Sequence, residues 1–345
     1  HAVTNLVGKS VDTLLAGLQP VLETRKGTPQ REAAVAILNG VLGDRLEASH
    51  NPLAIPMTLR YRGEALDWAA LPEDFQSAGK VLLMIHGLCM NDLQWCARHQ
   101  GRTVDHGQAL AAATGSVPLY LRYNSGRHIS QNGHELSLQL EQLVTHWPRP
   151  LEELIVVTHS MGGLVARSAS HYARLEGMSW LQHLRKLVFL GTPHHGAPLE
   201  RAGNWVDYVL ASSPFTSPFS KVGKVRSAGI ADLRYGYVLD EDWQGRDRFH
   251  RQPDSRQHLS LPEGVTCYTV ATSLVAQGKA QADELIGDGL VPLRSALGQH
   301  QDPRFSLRFD EAAQWVVYRT NHLGLLSNPE VTCQLKRWLE SGKGS

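Results

Sequence analysis

Apolar residues recur along this chain with two periods, one typical of buried strands and the other of amphipathic helices. Four short apolar runs predict strands: KVLLMIHG (80–87), VPLYLRYNS (117–125), ELIVVTHS (153–160) and RKLVFLGTP (185–193). Between them, GQALAAATG, GHELSLQLEQLVTHW and GGLVARSASHYARL carry apolar residues at helical spacing. Strands that alternate with helices predict right-handed crossovers and a mainly parallel central sheet flanked by helices.

This alternation stops after the fourth predicted strand. Residues 197–262 mix apolar stretches with charged, proline-containing sequence, and we interpret them as an insertion that is helical in part. The pattern resumes in VTCYTVATS (265–273) and QWVVYRTNHLGLL (314–326), and VTCQLKRWLE predicts a last helix. We therefore expect one α/β domain over residues 51–345, interrupted by an insertion at about 197–262.

The first fifty residues have a purely helical pattern. VTNLVGKSVDTLLAGLQPVL and REAAVAILNGVLGDRL predict two helices, so residues 1–50 form an N-terminal helical segment. We expect this segment to pack on the core, while dimerisation and contact with a lipid surface remain open alternatives. The following PMTLRYRGEALDW predicts a β-hairpin or two edge strands.

Composition narrows the class of protein. The 345 residues are 42% hydrophobic and 19% charged, with a formal net charge of +1, which fits a soluble globular protein. No basic stripe interleaved with aromatic residues is present, so we expect no nucleic-acid partner. No apolar run has the length of a transmembrane helix. A cytoplasmic location is favoured, but residue 1 is His, so processing after export stays open, as do lipid-interface contact and oligomeric state.

The four cysteines and seventeen histidines predict neither a disulfide framework nor a metal site. Cys89, Cys96, Cys267 and Cys333 are few and scattered, and we expect them to pack as small apolar side chains. The histidines form no HExxH motif and no Cys–His spacing that binds zinc. We therefore expect no metal and no cofactor.

The chain reverses direction abruptly at Ser160. The predicted strand at 154–157 gives way within a few residues to a helical period that begins at Leu164, and Ser160 lies at the tip of the bend. The surrounding residues resemble the G-x-S-x-G nucleophile elbow, with Gly162 at the second glycine position and Thr158 at the first. An ordinary helix N-cap is the alternative. A serine hydroxyl becomes a good nucleophile only beside a base, an acid that orients the base, and donors for an oxyanion.

Other chemically active residues follow strands, at the edge where a parallel sheet gathers its functional groups. IHGLCMND (85–92) is a His-Gly turn in which Gly87 allows close backbone approach and His86 is expected to pack within the turn. IGDGLVPLRSA (286–296) contains Asp288 in a glycine-flanked loop, and VVYRTNHLGLL (316–326) contains His322 directly after the last predicted strand.

Three other acidic residues are alternatives to Asp288 as the acid that orients the base. Asp283 and Glu284 are interpreted as a solvated charged turn, and Asp302 lies far toward the next strand. Asp283, Glu284 and Asp288 alone do not establish a calcium site near this loop, so we predict no calcium ion there.

These segments together resemble the α/β-hydrolase superfamily, in its lipase and esterase branch. Ser160, Asp288 and His322 have the Ser…Asp…His chain order of that superfamily. FLGTPHHGAP (189–198) adds a G-T-P-H-x-G turn that recurs in lipases and in relatives of the inositol-deacylase and lecithin–cholesterol-acyltransferase type. The resemblance covers residues 57–340 by element order and implies the α/β-hydrolase fold with a lid or cap insertion.

The resemblance also implies roles for individual residues. Ser160 would be the nucleophile, His322 the general base, and Asp288 the acid that orients His322. The backbone N–H groups of Leu88 and Met161 would form the oxyanion hole.

The insertion lies where this superfamily usually carries a lid. An apolar face toward an acyl chain would then come from Trp205, Tyr208 and Phe215. Packing of these aromatic residues on the core beneath a long excursion is an equal alternative. His194 and His195 are interpreted mainly as shaping the G-T-P-H-x-G turn, with His195 the candidate that also lines the acyl pocket. One charged cluster of the insertion is interpreted as a solvated surface: Asp240, Glu241, Asp242, Arg246, Arg248 and Arg251.

The resemblance implies a serine carboxylic-ester hydrolase, an esterase or lipase that cleaves hydrophobic esters through an acyl-enzyme on Ser160. An acyltransferase, or a hydrolase of polyesters, amides or thioesters, would use the same triad and stays open. A binding protein that kept the fold without turnover is disfavoured, because Ser160, Asp288 and His322 are all present.

Overall fold

The computed structural model describes residues 27–197, 227–246, 256–276 and 287–340. Its strands are β1 Thr58–Tyr61, β2 Glu64–Ala65, β3 Lys80–Ile85, β4 Cys96–His99, β5 Arg102–Asp105, β6 Val117–Arg122, β7 Glu153–His159, β8 Leu184–Leu190, β9 Thr266–Ser273 and β10 Gln314–Tyr318. Its helices are α1 Pro29–Ala48, α2 Asp74–Ser77, α3 His106–Thr114, α4 Ile129–His146, α5 Met161–Glu176, α6 Ala228–Tyr235, α7 Asp240–Trp243, α8 Leu293–Ala296 and α9 Pro329–Glu340.

The central sheet is mainly parallel, which confirms the prediction from the alternating pattern. Its strand order is β10-β9-β8-β7-β3-β6-β1-β2. The six strands from β10 to β6 are parallel to their neighbours, and β1 and β2 add the predicted hairpin antiparallel to β6. The separate hairpin β4–β5 was not predicted, because its residues are mostly polar and only partly buried.

Apolar cores cover both faces of the sheet. Val81, Leu83 and Ile85 of β3 belong to the core that includes α1, α4 and α5, while Leu82 and Met84 belong to the core that includes α3 and α9. Successive side chains of a strand point to opposite faces. The continuous apolar run of β3 therefore reflects burial on both sides, as expected for a parallel strand.

The order in which the strands are added creates a crevice beside β3. The chain passes from β3 to β6 on one side and then crosses to β7 on the other. In open parallel sheets, ligands bind beyond the carboxyl ends of the strands at such a switch point. The segments that follow β3 and β7 contain Leu88 and Ser160.

Helix α1 packs on the chain segments behind this crevice. A methyl group on Gly40 would lie 2.9 Å from Cα of Cys89, so the helix backbone contacts the turn after β3 directly. Nδ2 of Asn124 donates to the carbonyl oxygen of Gly43 at 2.9 Å, and Oγ of Ser227 donates to that of Gly40 at 2.7 Å. The second predicted N-terminal helix is therefore part of the main core, and the first lies outside the described residues.

Only part of the predicted insertion lies in the described residues, since 198–226 and 247–255 fall outside them. The described part contains α6 and α7, and Ile230, Leu233 and Leu239 there are buried in the core. The lid remains a prediction. Across the described ranges, no helix is both long and apolar enough to cross a bilayer.

Two of the cysteines depart from expectation. Cys89 and Cys267 are buried as predicted, but Cys96 and Cys333 are exposed, and all four are free thiols. Burial raises the pKa of Cys89 and of Cys267 to about 12.

Candidate active site

Ser160 occupies a strained turn between β7 and α5. Its φ of 56° and ψ of −124° lie outside the regions that L-residues usually adopt, and such strain persists only where surrounding structure enforces it. Its N–H donates to the carbonyl oxygen of Leu190 at 2.8 Å, and its carbonyl oxygen accepts from Gly163 at 3.0 Å. Oγ of Ser160 is buried and has no hydrogen-bond partner among the described residues. The hydroxyl is therefore not used as an N-cap.

Thr158 shows why the first glycine of the elbow motif can be replaced. The side chain of Thr158 is fully buried, and its Oγ1 donates to the carbonyl oxygen of Val188 in β8 at 2.9 Å. The hydroxyl thus has a partner in the neighbouring strand, so its burial leaves no unsatisfied polar group.

Gly162 allows α5 to begin directly against the end of β3. A methyl group at this position would lie 2.6 Å from the carbonyl oxygen of His86 and 2.7 Å from that of Ile85. Both obstacles are backbone atoms, so a side-chain rotation cannot relieve the overlap. The glycine of the motif is therefore required by packing.

Gly162→Ala is expected to force the elbow away from the turn after β3 and to destabilise the fold by about 1 to 3 kcal/mol, the usual cost of overpacking. Urea unfolding of the variant and the wild type would test this. A variant as stable as the wild type would show that the close approach is not needed.

Asp288 and His322 form a buried pair at the carboxyl edge of the sheet. Nδ1 of His322 lies 2.5 Å from Oδ2 of Asp288, and both side chains are at most 1% exposed. Oδ1 of Asp288 accepts from the N–H groups of Leu290 at 2.9 Å and Val291 at 2.7 Å. The carboxylate is thus fixed by its own loop, and an Nδ1–H that donates to it leaves Nε2 of His322 as the basic nitrogen.

His322 lies next to the segment that holds Ser160. A methyl group on Gly191 would be 3.0 Å from Cε1 of His322, and Gly191 directly follows Leu190, whose carbonyl binds the N–H of Ser160. Nε2 of His159 donates to the carbonyl oxygen of His322 at 3.2 Å, and the two rings are 4.7 Å apart. Burial lowers the pKa of His159 well below its usual range, so this residue is a neutral donor. The three predicted triad residues therefore lie at one edge of the sheet.

The two predicted oxyanion donors lie on touching turns. Leu88 follows β3, and Met161 is the first residue of α5, so its N–H has no acceptor one turn earlier in the helix. A methyl group on Gly87 would lie 3.0 Å from Cβ of Ser160. Cys89 has a left-handed φ of 60°, and its N–H donates to Oγ of Ser125 at 3.0 Å. This conformation of Cys89 was not predicted and has no sequence signal, since glycine usually occupies such positions.

His86 supports the same turn, as predicted. Its Nδ1 donates to the carbonyl oxygen of Gly87 at 2.9 Å, and its ring stacks on Tyr123 with 4.4 Å between centroids. Complete burial lowers the pKa of His86 to about 3. The ring is therefore neutral near pH 7 and acts as a packing group.

The low pKa of His86 predicts acid destabilisation. The unfolded ring titrates near 6.5, so below that pH the unfolded chain binds a proton that the folded protein excludes until about pH 3. Stability should fall by about 1.4 kcal/mol per pH unit for this group. The free energy of unfolding, measured in urea, should therefore fall between pH 7 and pH 5. This fall should be about 2 kcal/mol smaller in His86→Gln than in the wild type. The exposed His146→Gln should leave the fall unchanged, and equal falls in all three proteins would contradict the assignment.

The Gly-Thr-Pro-His-His-Gly turn after β8 is attached to the helix that follows the acid loop. The N–H of His195 donates to Oγ of Ser295 in α8 at 3.1 Å, and that hydroxyl donates to the carbonyl oxygen of Gly196 at 2.9 Å. Nε2 of His195 donates to the carbonyl oxygen of Gly298 at 3.0 Å. Ser295 was not singled out in the sequence, where nothing distinguishes it from other helical serines. The turn and the Asp288 loop are thus held together.

Of the four predicted substrate-binding residues, only His195 lies within the described ranges. The hydrogen bonds of His195 given above all join it to other residues of the protein. Burial lowers its pKa to about 4. Trp205, Tyr208 and Phe215 lie outside the described residues. In the part of the chain that the structure describes, no group of three or more His, Cys, Asp or Glu side chains could hold a metal ion.

Comparisons with known proteins agree with this architecture. Residues 76–268, more than half of the chain, match the family described as PGAP1-like alpha/beta domain. No curated protein matches the chain significantly.

Several solved structures are similar at low identity. The lipase BlEst2 of Bacillus licheniformis is 17% identical with a TM-score of 0.46, covering 75% of this chain and 91% of that one. The esterase Pf2001 of Pyrococcus furiosus is 13% identical with a TM-score of 0.43, covering 78% and 85%. The RedJ thioesterase of Streptomyces coelicolor is 15% identical with a TM-score of 0.39, covering 84% and 98%.

The family match includes the strand–turn–helix unit around Ser160 and the turn after β3. The sheet is parallel except at β1 and β2 and is flanked by helices. The chain beyond the matched residues adds β10 to it and contains Asp288 and His322. The chain therefore belongs to the PGAP1-like alpha/beta domain family of the α/β-hydrolase superfamily.

Proposed function

We propose that the protein is a serine carboxylic-ester hydrolase, an esterase or lipase that acts on hydrophobic esters. The observation that supports this most directly is the buried 2.5 Å contact between His322 and Asp288 at the same sheet edge as the strained Ser160. A buried imidazole–carboxylate pair beside an unpartnered serine hydroxyl is the arrangement that activates a serine nucleophile.

The proposed reaction has two halves. Nε2 of His322 removes the proton of Ser160 as Oγ attacks the ester carbonyl, and Asp288 holds the ring in the required tautomer and stabilises the imidazolium. His322 then protonates the leaving alcohol. Water, activated by the same nitrogen, attacks the acyl-enzyme and releases the acid and the free serine.

The proposed oxyanion hole consists of the N–H groups of Leu88 and Met161. Gly87 supports this pairing, because its contact with Ser160 brings the turn after β3 to the nucleophile. Met161 begins a sixteen-residue helix, whose N-terminus favours negative charge. One such donor contributes about 3 to 4 kcal/mol to transition-state stabilisation.

The test is a series of p-nitrophenyl esters from acetate to palmitate, combined with a fluorophosphonate probe and peptide mapping. We expect turnover of at least one ester and a single adduct on the peptide that contains Ser160. An adduct without turnover of any ester would refute the substrate class but keep the nucleophile. Neither adduct nor turnover would refute the proposal.

An acyltransferase or a polyester, amide or thioester hydrolase would use the same residues. Adding butanol to the ester assay separates the first of these, because a transferase forms the butyl ester in preference to the free acid. Polymeric, amide and thioester substrates, assayed beside the best p-nitrophenyl ester, separate the others by their kcat/KM values.

A further inference from the structure

A cavity lies along the later turns of α5, beyond Ser160 in sequence. It has a volume of about 770 Å³ and lies between this helix and residues 257–265. Its polar lining includes Arg167, His171 and Arg174 from one face of α5, and His258 opposite them. Leu239 and Leu261 contribute to its apolar lining.

Arg167 brings a buried charge to this cavity. Arg167 is only 5% exposed, and its Nη2 donates to the backbone carbonyl oxygen of Leu259 at 2.5 Å. Nε of Arg167 has no hydrogen-bond partner among the described residues. No carboxylate of the described residues forms an ion pair with Arg167, and a buried guanidinium without such a partner is costly, because it has lost its hydration without gaining a counter-charge.

Asp242 is the carboxylate among the described residues that interacts electrostatically with Arg167 and favours its charged form, but it makes no ion pair with it. Asp242 is buried, contrary to the predicted solvated surface, but its Oδ2 accepts from the N–H groups of Val238 and Leu239 at 3.0 Å, and its Oδ1 accepts from Gln257 at 3.1 Å. Burial, and then the repulsion of Arg256, lower the pKa of Arg167 to about 10. Arg167 therefore remains a cation at neutral pH.

A second polar atom next to the cavity also lacks a partner among the described residues. Nδ1 of His171 is buried and has no hydrogen-bond partner among the described residues, and His171 lies one turn beyond Arg167 on α5. Arg174 follows on the same face, and Glu263 is the carboxylate among the lining residues. Positive groups thus exceed negative ones in the lining.

We propose that this cavity is a second ligand site, which binds an oxyanion carried on an apolar body, with Arg167 as the main anion-binding residue. The guanidinium presents a planar set of donors that matches a carboxylate or phosphate. The apolar lining fits the body of an amphiphilic ligand.

The site is distinct from the proposed oxyanion hole. Arg167 lies seven residues beyond Ser160 along α5, which corresponds to about 10 Å of helix rise. A ligand bound at Arg167 therefore does not occupy the position of the reacting ester carbonyl.

The experiment is isothermal titration calorimetry of hexanoate, hexyl phosphate and inorganic phosphate with the full chain. We expect saturable binding of hexanoate or hexyl phosphate, and the tighter of the two identifies the head group. Arg167→Met should weaken this binding about tenfold or more, since it removes a charge-assisted contact. Arg62→Met, a change at an exposed arginine in the β1–β2 hairpin, should leave it unchanged.

The contrary outcomes are equally defined. No saturable binding to the wild type, or equal affinity in Arg167→Met, overturns the proposal. Inorganic phosphate that binds as tightly as hexyl phosphate overturns the amphiphilic part of it. If Arg167→Met does not fold, the double variant His171→Gln, His258→Gln replaces it, and unchanged affinity in that variant overturns the site.

Discussion

Replacing Ser160 by alanine is expected to lower kcat for the best p-nitrophenyl ester by about 10⁶-fold, leaving only slow water attack. The change removes one oxygen that has no hydrogen-bond partner among the described residues, so no other group loses a contact. The backbone hydrogen bonds of residue 160 to Leu190 and Gly163 are independent of the side chain. The protein should therefore fold normally, which circular dichroism and thermal unfolding would verify.

Ser168→Ala is a matched control on the same helix. Ser168 is also fully buried and its Oγ also lacks a described partner, but it lies beside Gly133 on α4, away from His322. Full activity in Ser168→Ala with loss in Ser160→Ala would assign the effect to the nucleophile. Comparable activity of Ser160→Ala and the wild type would remove Ser160 from the mechanism.

Asp288→Asn is expected to lower kcat by about 10⁴-fold without loss of the fold. An asparagine can still accept from the N–H groups of Leu290 and Val291 through its carbonyl oxygen. Its NH₂ group would then face Nδ1 of His322, where the carboxylate oxygen now lies at 2.5 Å. Two N–H groups cannot bond to each other, so the imidazole shifts its proton to Nε2 and can no longer accept the proton of Ser160.

Asp302→Asn is the control for Asp288, because Asp302 was the rival nearest in sequence to the last strand. In the structure, Asp302 caps a short 3₁₀ turn and pairs with the exposed Arg304. Its replacement should leave kcat within a factor of about two, because an exposed pair contributes little to the stability of the fold. A large loss of kcat in Asp302→Asn with no loss in Asp288→Asn would show that Asp302, and not Asp288, orients His322.

Most of the sheet could be predicted from the sequence because burial on both faces leaves continuous apolar runs. The strands around Val81, Leu154 and Leu187 were identified in this way, and the helices between them by their amphipathic period. The candidate residues Ser160 and His322 were singled out because they directly follow strands, and residues after parallel strands meet at one edge. Asp288 was singled out by its glycine-flanked loop and by the chain order Ser…Asp…His.

Features that depend on tertiary contacts could not be predicted. Cys89 adopts a left-handed conformation because α1 and Ser125 contact it, and neither contact is local in sequence. Asp242 lies in a charged stretch typical of a surface, yet it is buried, because backbone N–H groups donate to its carboxylate. Arg167 has the helical position of a core-facing residue, and the periodicity alone does not indicate what a charged side chain there would contact.

The docking of α1 has a consequence for synthesis on the ribosome. Oγ of Ser227, which binds the carbonyl oxygen of Gly40, is 187 residues further along the chain, and Asn124, which binds Gly43, is 81 residues further. At translation rates of about 5 to 20 residues per second, α1 waits roughly 10 to 40 s for the last of these partners. During that time Ile37, Leu38 and other apolar residues of the nascent helix lack part of the core that buries them, so they stay accessible to chaperones.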